Sequence, residues 1–223
     1  MPAKHLIITL DGPAGAGKST VAKSLAKRLD ISYLDTGAMY RAMTLKALRL
    51  KLDLSDEKAL TALAKKTKID FKEKRDGSLN VCLDGKDVAK AIRAPKVTNN
   101  TFYIARTAGV RTLMVKWQQA IGKARSIVTD GRDQGTVVFT KAPYKFYVDA
   151  DFEERVQRRF KELKLAGKKI DLKQLRADMK DRDEKDFTRK VGPLKKADDA
   201  IVVDSSGLTV EGTVDKIMKL LKK

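Results

Sequence analysis

Cysteine, histidine and tryptophan each occur once in this 223-residue chain. A lone Cys82 closes no internal disulfide and reads as an ordinary strand residue; with a single histidine beside it there is no ligand set for a structural zinc. Aromatic residues make up 6%, with Trp117 alone of its kind, which is too little to build the stacking platform that single-stranded nucleic acids require. No run of about 18 apolar residues exists to cross a bilayer. The N-terminal MPAKHLIITL passes directly into strand-like sequence, without the apolar stretch and small-residue cleavage site of an export signal, so a cytoplasmic location is expected. Internal repeats and low-complexity tracts are also missing.

Positive charge, by contrast, is abundant. The net charge is +19, a balance that suits anionic partners: nucleic acid, membrane surface or phosphorylated small molecules. The excess is diffuse, with no basic tail, so it helps collect polyanions without specifying one. At 42% hydrophobic the chain can bury a real core as one compact unit with inserted lobes.

Along the chain, LIITL (6–10) reads as a strand, followed by a Gly-rich turn and a helix over 19–29 with Val21, Leu25 and Leu29 on one face. ISYL (31–34) is a second strand. The next helix carries Met39, Met43, Ala47 and Leu50 as an apolar stripe, which suits core packing. Ser55, with Asp56 and Glu57 behind it, predicts a helix N-terminus running to about Lys66. From Ile69 to Val88 the period switches to alternation, with Asp76-Gly77 and Asp84-Gly85 as turns: a small antiparallel sheet inserted into an alternating strand–helix pattern. Helix returns over about 95–123. Strands are expected at Ile127–Val128, 145–150 and 200–204, two charged helices around a loop at Gly167, and a closing helix over 210–221. Five strands interleaved with helices predict an α/β fold, a parallel sheet covered on both faces.

The chemistry enters with Gly12-Pro13-Ala14-Gly15-Ala16-Gly17-Lys18-Ser19, which matches the phosphate-binding P-loop G-x-x-x-x-G-K-[ST] and lies between a predicted strand and a predicted helix, as its mechanism demands. Backbone amides there wrap phosphates at a helix N-terminus. Lys18 would reach the β- and γ-phosphates and the Ser19 hydroxyl would ligate Mg²⁺, with Thr20 completing the ATP-binding run. A P-loop says nucleoside triphosphate but leaves the phosphoryl acceptor open. The base-reading and switch motifs of a GTPase are not found, and motor or helicase ATPases are usually longer. A nucleic-acid-binding ATPase remains as an alternative suggested by the charge. A small-molecule kinase needs a second anion site facing the loop.

Such a site is suggested by DTGAMYR (35–41), one strand after the P-loop helix, and by SIVTDGRDQGTVVF (126–139), where Asp130, Arg132 and Asp133 cluster between two apolar runs. Taken with the terminal VGPLKKADDAIVVDSSGLT, these motifs resemble the nucleoside monophosphate kinases and, within them, the bacterial cytidylate kinase family, over nearly the full length. Adenylate kinases share the P-loop and a TG…R element but not the DGRDxGTVVF run.

The resemblance implies a P-loop-type five-stranded parallel sheet with helices on both faces (core 1–66, 96–150 and 193–223), a small antiparallel acceptor lobe (67–95) and a helical lid (151–192). It implies ATP-dependent phosphorylation of CMP and dCMP, with UMP a poorer acceptor, and a monomer that binds neither membrane nor specific nucleic acid. The acceptor residues would be Thr36, Tyr40, Arg41, Arg111, Arg132, Asp133, Arg182, Asp186 and Arg189: Arg41, Arg132 and Arg189 on the phosphate, Arg111 and Asp133 on the cytosine edge, Arg182 and Asp186 on the sugar. Tyr40 packs either on the base or in the core. Lid arginines, Arg158 and also Arg159, would join Lys18, Arg132 and Arg189 in neutralising developing charge, while Arg155 reads equally as a solvated helix face. Asp130 emerges at the sheet's C-terminal edge if its strand lies beside the P-loop strand, where it is placed to act on Mg²⁺ or its waters. Two positions depart from the family pattern: Phe102 stands where a serine usually contacts the base, and Gly109 where a proline often precedes Val-Arg.

Overall fold

The computed structural model describes residues 5–73 and 79–221; the expected Asp76-Gly77 turn lies outside them. The chain opens with β1 (Ile7–Asp11), α1 (Lys18–Arg28), β2 (Ser32–Asp35), α2 (Thr36–Arg49) and α3 (Glu57–Lys65). A three-stranded antiparallel sheet follows: β3 (Ile69–Glu73), β4 (Leu79–Leu83) and β5 (Lys86–Asp87). Asp84-Gly85 makes its second turn with both residues at positive φ, the geometry that a two-residue hairpin matched to strand twist requires. Then come α4 (Pro95–Arg106), α5 (Ala108–Ala124), β6 (Ile127–Gly131), β7 (Tyr144–Asp149), α6 (Phe152–Leu165), α7 (Leu172–Thr188), β8 (Ile201–Asp204) and α8 (Val210–Leu221).

The main sheet has strand order β2-β6-β1-β7-β8. Its neighbours pair in parallel throughout, and β6 lies directly beside the P-loop strand with Leu10 opposite Asp130. Burial on both faces suits the apolar residues of the central strands β1 and β6, whereas at the edge strand β8 only Val203 is buried and Ile201 and Val202 are exposed. Ile8, Leu10, Val128, Phe146, Val148 and Val203 pack with Leu25 of α1 and Val214 and Ile217 of α8, each contributing on the order of 1.5–3 kcal/mol through burial. On the other face Met39 and Met43 of α2 meet Leu60, Ile104 and Met114, so the methionine stripe is core. Leu50 falls outside it, beyond the last helical residue and 55% exposed.

Local details differ from the sequence expectation in two places. Asp56, not Ser55, caps α3: its carboxylate accepts from the Ala59 amide at 2.9 Å, while Ser55 turns to Asp53. A carboxylate is the stronger acceptor for a helix N-terminus. The helix expected over 95–123 breaks at Thr107, whose backbone is extended, with Pro95 opening α4 at its first position. The apolar run after Asp133, which the sequence left unassigned, folds as a π-helical turn, Gln134–Val138; the Asp11 carboxylate anchors it by accepting from the Gln134 and Gly135 amides at 2.9 and 2.7 Å.

All five parallel strands carry an aspartate at or next to their C-terminal ends: Asp11, Asp35, Asp130, Asp149 and Asp204. That edge is where ligands bind in sheets of this kind.

Candidate active site

The P-loop leaves β1 at Asp11 and turns through Gly12, Gly15 and Gly17, all at positive φ, with Gly17 capping α1. Lys18 opens the helix almost fully buried and donates from Nζ to the Pro13 carbonyl at 2.5 Å. Burial first, then the neighbouring Arg132 guanidinium, hold its ammonium well below the ordinary lysine range. An amine in that condition gains strongly from an anion beside it.

Ser19 Oγ donates to Asp130 Oδ2 at 2.6 Å, and Tyr33 donates to Asp130 Oδ1 at the same distance. Burial, reinforced by the Asp35 carboxylate, raises the Asp130 carboxyl above the usual range. Ser19 and Asp130 present hard oxygen donors side by side, which suits Mg²⁺, a cation that keeps most of its shell as water and phosphate and needs few protein ligands. No larger acidic, histidine or cysteine cage gathers among the described residues.

Opposite the loop, guanidiniums converge from β2–α2, β6 and α7. Arg41 pairs with Asp35 at 3.0 Å, and Asp35 also caps α2. Arg132 donates from Nε to Asp186 at 2.7 Å. Arg189 lies 3.6 Å from Asp186 and 4.0 Å from Asp133. Arg182 keeps access to solvent, yet enclosure by protein and the proximity of Arg132 bring its pKa down to about 10. Burial opposes ionisation of Asp186, but Arg132 and Arg182 override it and keep the carboxyl below its usual range. The net result is a crowd of cations short of counter-charge, which a phosphate relieves.

Arg111 forms a buried ion pair with Asp133 and donates to the Ala105 carbonyl at 3.0 Å. Its guanidinium covers the Tyr40 ring at 5.5 Å. Tyr40 sits in the apolar cluster with Met39 and Met43, and burial pushes its hydroxyl up to about 12. Thr36 is likewise buried, its hydroxyl donating to the Asp130 carbonyl at 2.7 Å. Phe102 stacks edge-on against Tyr103, with Arg106 and Lys185 over its ring at 5.5 and 5.7 Å. Gly109 lies under Thr61 of α3, where a Cβ would collide.

The arginines of α6 behave differently from one another. Arg158 stands beside Gly17, donates to Ser205 Oγ at 3.0 Å and to its carbonyl at 2.6 Å, and pairs with Glu154. Arg159 pairs with Glu162 at 2.7 Å. Arg155 is no solvated helix face: it is buried and donates to Ala14 of the P-loop.

Residues missed at the sequence level include Asp11, Tyr33, Asp183, Gly192 and Ser205. Gly192, at φ 57, sits so close to Arg111 and Asp133 that any Cβ would run into their charged ends. Its place in the quoted VGPL run was the available signal. For Asp183 there was none, since its partners lie 28 and 169 residues away.

Strand order, loop and facing arginines together define a P-loop phosphotransferase of the small-kinase type. The fold is matched by a crystal structure of an uncharacterized protein from Eubacterium ventriosum (16% identity, TM-score 0.55, 98% of this chain and 99% of that one) and by shikimate kinase from Bacteroides thetaiotaomicron (12%, TM-score 0.50, 98% and 99%). The cytidylate kinase family model matches residues 8–223. Curated cytidylate kinases are 48% identical in Desulforamulus reducens (99% of this chain, 98% of that one), 46% in Clostridium botulinum (97% and 97%) and 44% in Bacillus licheniformis (99% and 97%). The chain belongs to the cytidylate kinase family.

Proposed function

We propose that the protein transfers the γ-phosphoryl group of ATP to CMP and dCMP, giving ADP and CDP or dCDP, with UMP a poorer acceptor. The observation that carries the acceptor site is the meeting of Arg132 and Arg189 on the Asp186 carboxylate, at 2.7 and 3.6 Å, with Arg132 also close enough to Lys18 to oppose its charge. Two phosphate groups brought together there meet donors from both sides.

An oxygen of the acceptor phosphate attacks the γ-phosphorus; the bond from that phosphorus to the β-bridging oxygen breaks, and ADP leaves with the electron pair. No general base is needed, because the attacking oxygen is already anionic. The protein's work is alignment and charge stabilisation in a dry site. Gly12 through Thr20 hold ATP, with Lys18 on its terminal phosphates. Arg41, Arg132 and Arg189 hold the acceptor phosphate, and Arg182 with Asp186 the sugar. Arg111 and Asp133 read the base edge, offering donors to its carbonyl and ring nitrogen and an acceptor to its amino group. Arg158, released from Ser205, joins the transferred group. Ser19 and Asp130 would hold Mg²⁺, directly or through water; when bound, the ion neutralises charge on the β- and γ-phosphates.

The antiparallel sheet supports assigning 67–95 to an acceptor lobe, and the α6–α7 hairpin over the P-loop supports a lid over 151–192 that excludes water on closing. The protein acts as a cytoplasmic monomer. Among the described residues no helix is long and apolar enough to cross a membrane.

Arg132→Ala tests the acceptor assignment. It should raise the KM for CMP and lower kcat by at least tenfold, with ATP affinity changed far less. An unchanged acceptor KM and kcat would contradict it.

A further inference from the structure

We propose that Arg155 and Asp183 are positioning residues which hold the phosphate-binding loop ready for an anion by gripping both backbone polar groups of one residue, Ala14; the inference rests on reading this loop as the ATP site. Both polar ends of Ala14 are engaged from the lid. Its amide donates to Asp183 Oδ1 at 3.2 Å, and its carbonyl accepts from Arg155 Nη1 at 2.8 Å. The same Nη1 donates to Asp183 Oδ2 at 2.6 Å, and Arg155 Nε donates to the Ala150 carbonyl at 3.1 Å. Both residues are buried, and Met179 of α7 and Arg155 of α6 lie directly against Gly15.

This grip solves two physical problems. A loop with three glycines in six positions is costly to order when ligand arrives, and fixing it beforehand reduces that cost. Tying the Ala14 amide to the lid also leaves the following amides, at the free N-terminus of α1, for the phosphates. The second problem is charge. A carboxylate beside a phosphate site repels its ligand, and Asp183 is tolerable there because Arg155 cancels it. The two therefore act as a neutral clasp, and losing the arginine should be worse for ATP than losing both charges. Simple lid scaffolding gives no such ordering.

The test is ATP affinity by calorimetry for the full chain and for Arg155→Ala, Asp183→Asn, the double variant and Arg176→Ala, with circular dichroism confirming each fold. Arg176 pairs with Glu153 across the same two helices at 2.6 Å, exposed and away from the loop. Arg155→Ala should weaken ATP by at least tenfold, because it leaves a buried carboxylate uncompensated. Asp183→Asn, which keeps an acceptor for the Ala14 amide, should lose less. The double variant should recover part of the Arg155→Ala loss, and Arg176→Ala should bind as the unmodified protein does. If Arg155→Ala does not fold, Asp183→Ala against Asp183→Asn decides, the former weaker by several-fold and its Ala14 amide faster in hydrogen exchange. Unmodified protein that binds ATP alongside an Arg155→Ala that binds equally, or a double variant no better than Arg155→Ala, overturns the clasp alone. Unmodified protein that binds no ATP overturns the nucleotide reading as well.

Discussion

Arg111 and Asp133 bury their opposite charges against each other, their side chains 3% and 5% exposed, on the wall assigned to the cytosine edge. Each group is thus held in place before substrate arrives, and neither is free of the other. Removing one partner leaves an uncompensated charge in a nearly dry site. Asp133→Ala should cost about 3–5 kcal/mol of folding stability, read by chemical denaturation, with Asp133→Asn milder. A loss below about 1 kcal/mol would show that the pair is solvated in solution.

Gly192 presses on that pair. Gly192→Ala combines a strained positive φ with a collision against both charged ends, so it should lower CMP affinity by about tenfold or more while leaving ATP binding intact. Equal CMP affinity in variant and unmodified protein would contradict the packing described.

Asp11 gives a pH signature. Burial raises its pKa from 3.8 to about 6, against the two backbone amides that oppose the rise. The folded chain therefore holds this proton where the unfolded chain has lost it. Its contribution to stability falls as pH rises from about 4 to about 6, then levels, by about 3 kcal/mol in total. Asp11→Asn carries no such proton. The stability of the unmodified protein relative to this variant should shrink by that order between pH 4 and pH 7, measured by urea unfolding at each pH. A difference that stays constant would contradict the shift.

How far the sequence carried depended on the range of the interaction. Short apolar runs placed the five parallel strands, those of β1 and β6 reflecting burial on both faces, and the P-loop announced its own position between strand and helix. The switch to alternation at Ile69 marked the antiparallel insertion for the same local reason. What local pattern could not reach was partner choice. Arg155 looked like any arginine on a charged helix, and only the packing of α6 and α7 onto Ala14 distinguishes it. Asp11 ends a strand as four other aspartates do, and its role depends on a turn more than 120 residues later. The break at Thr107 hides inside continuous helical periodicity. At the break the Arg111 guanidinium donates to the Ala105 carbonyl.

Phe102 bears on acceptor choice. The family resemblance implies a serine contacting the base there; here Arg106 and Lys185 of α7 lie over the ring instead. Phe102→Ser should raise the preference for CMP over UMP, as a ratio of kcat/KM, by about tenfold, the worth of one hydrogen bond to a substrate group. An unchanged ratio would mean that position 102 does not meet the base.

The most direct measurement is ADP release, in a coupled assay with ATP and Mg²⁺, against a panel of CMP, dCMP, UMP, AMP and GMP. Rapid turnover with CMP and dCMP, slower with UMP and negligible with the purines, is the expected result. Activity on none of the pyrimidine acceptors would contradict the assignment of Arg111, Arg132 and Asp133 to a cytidine monophosphate site.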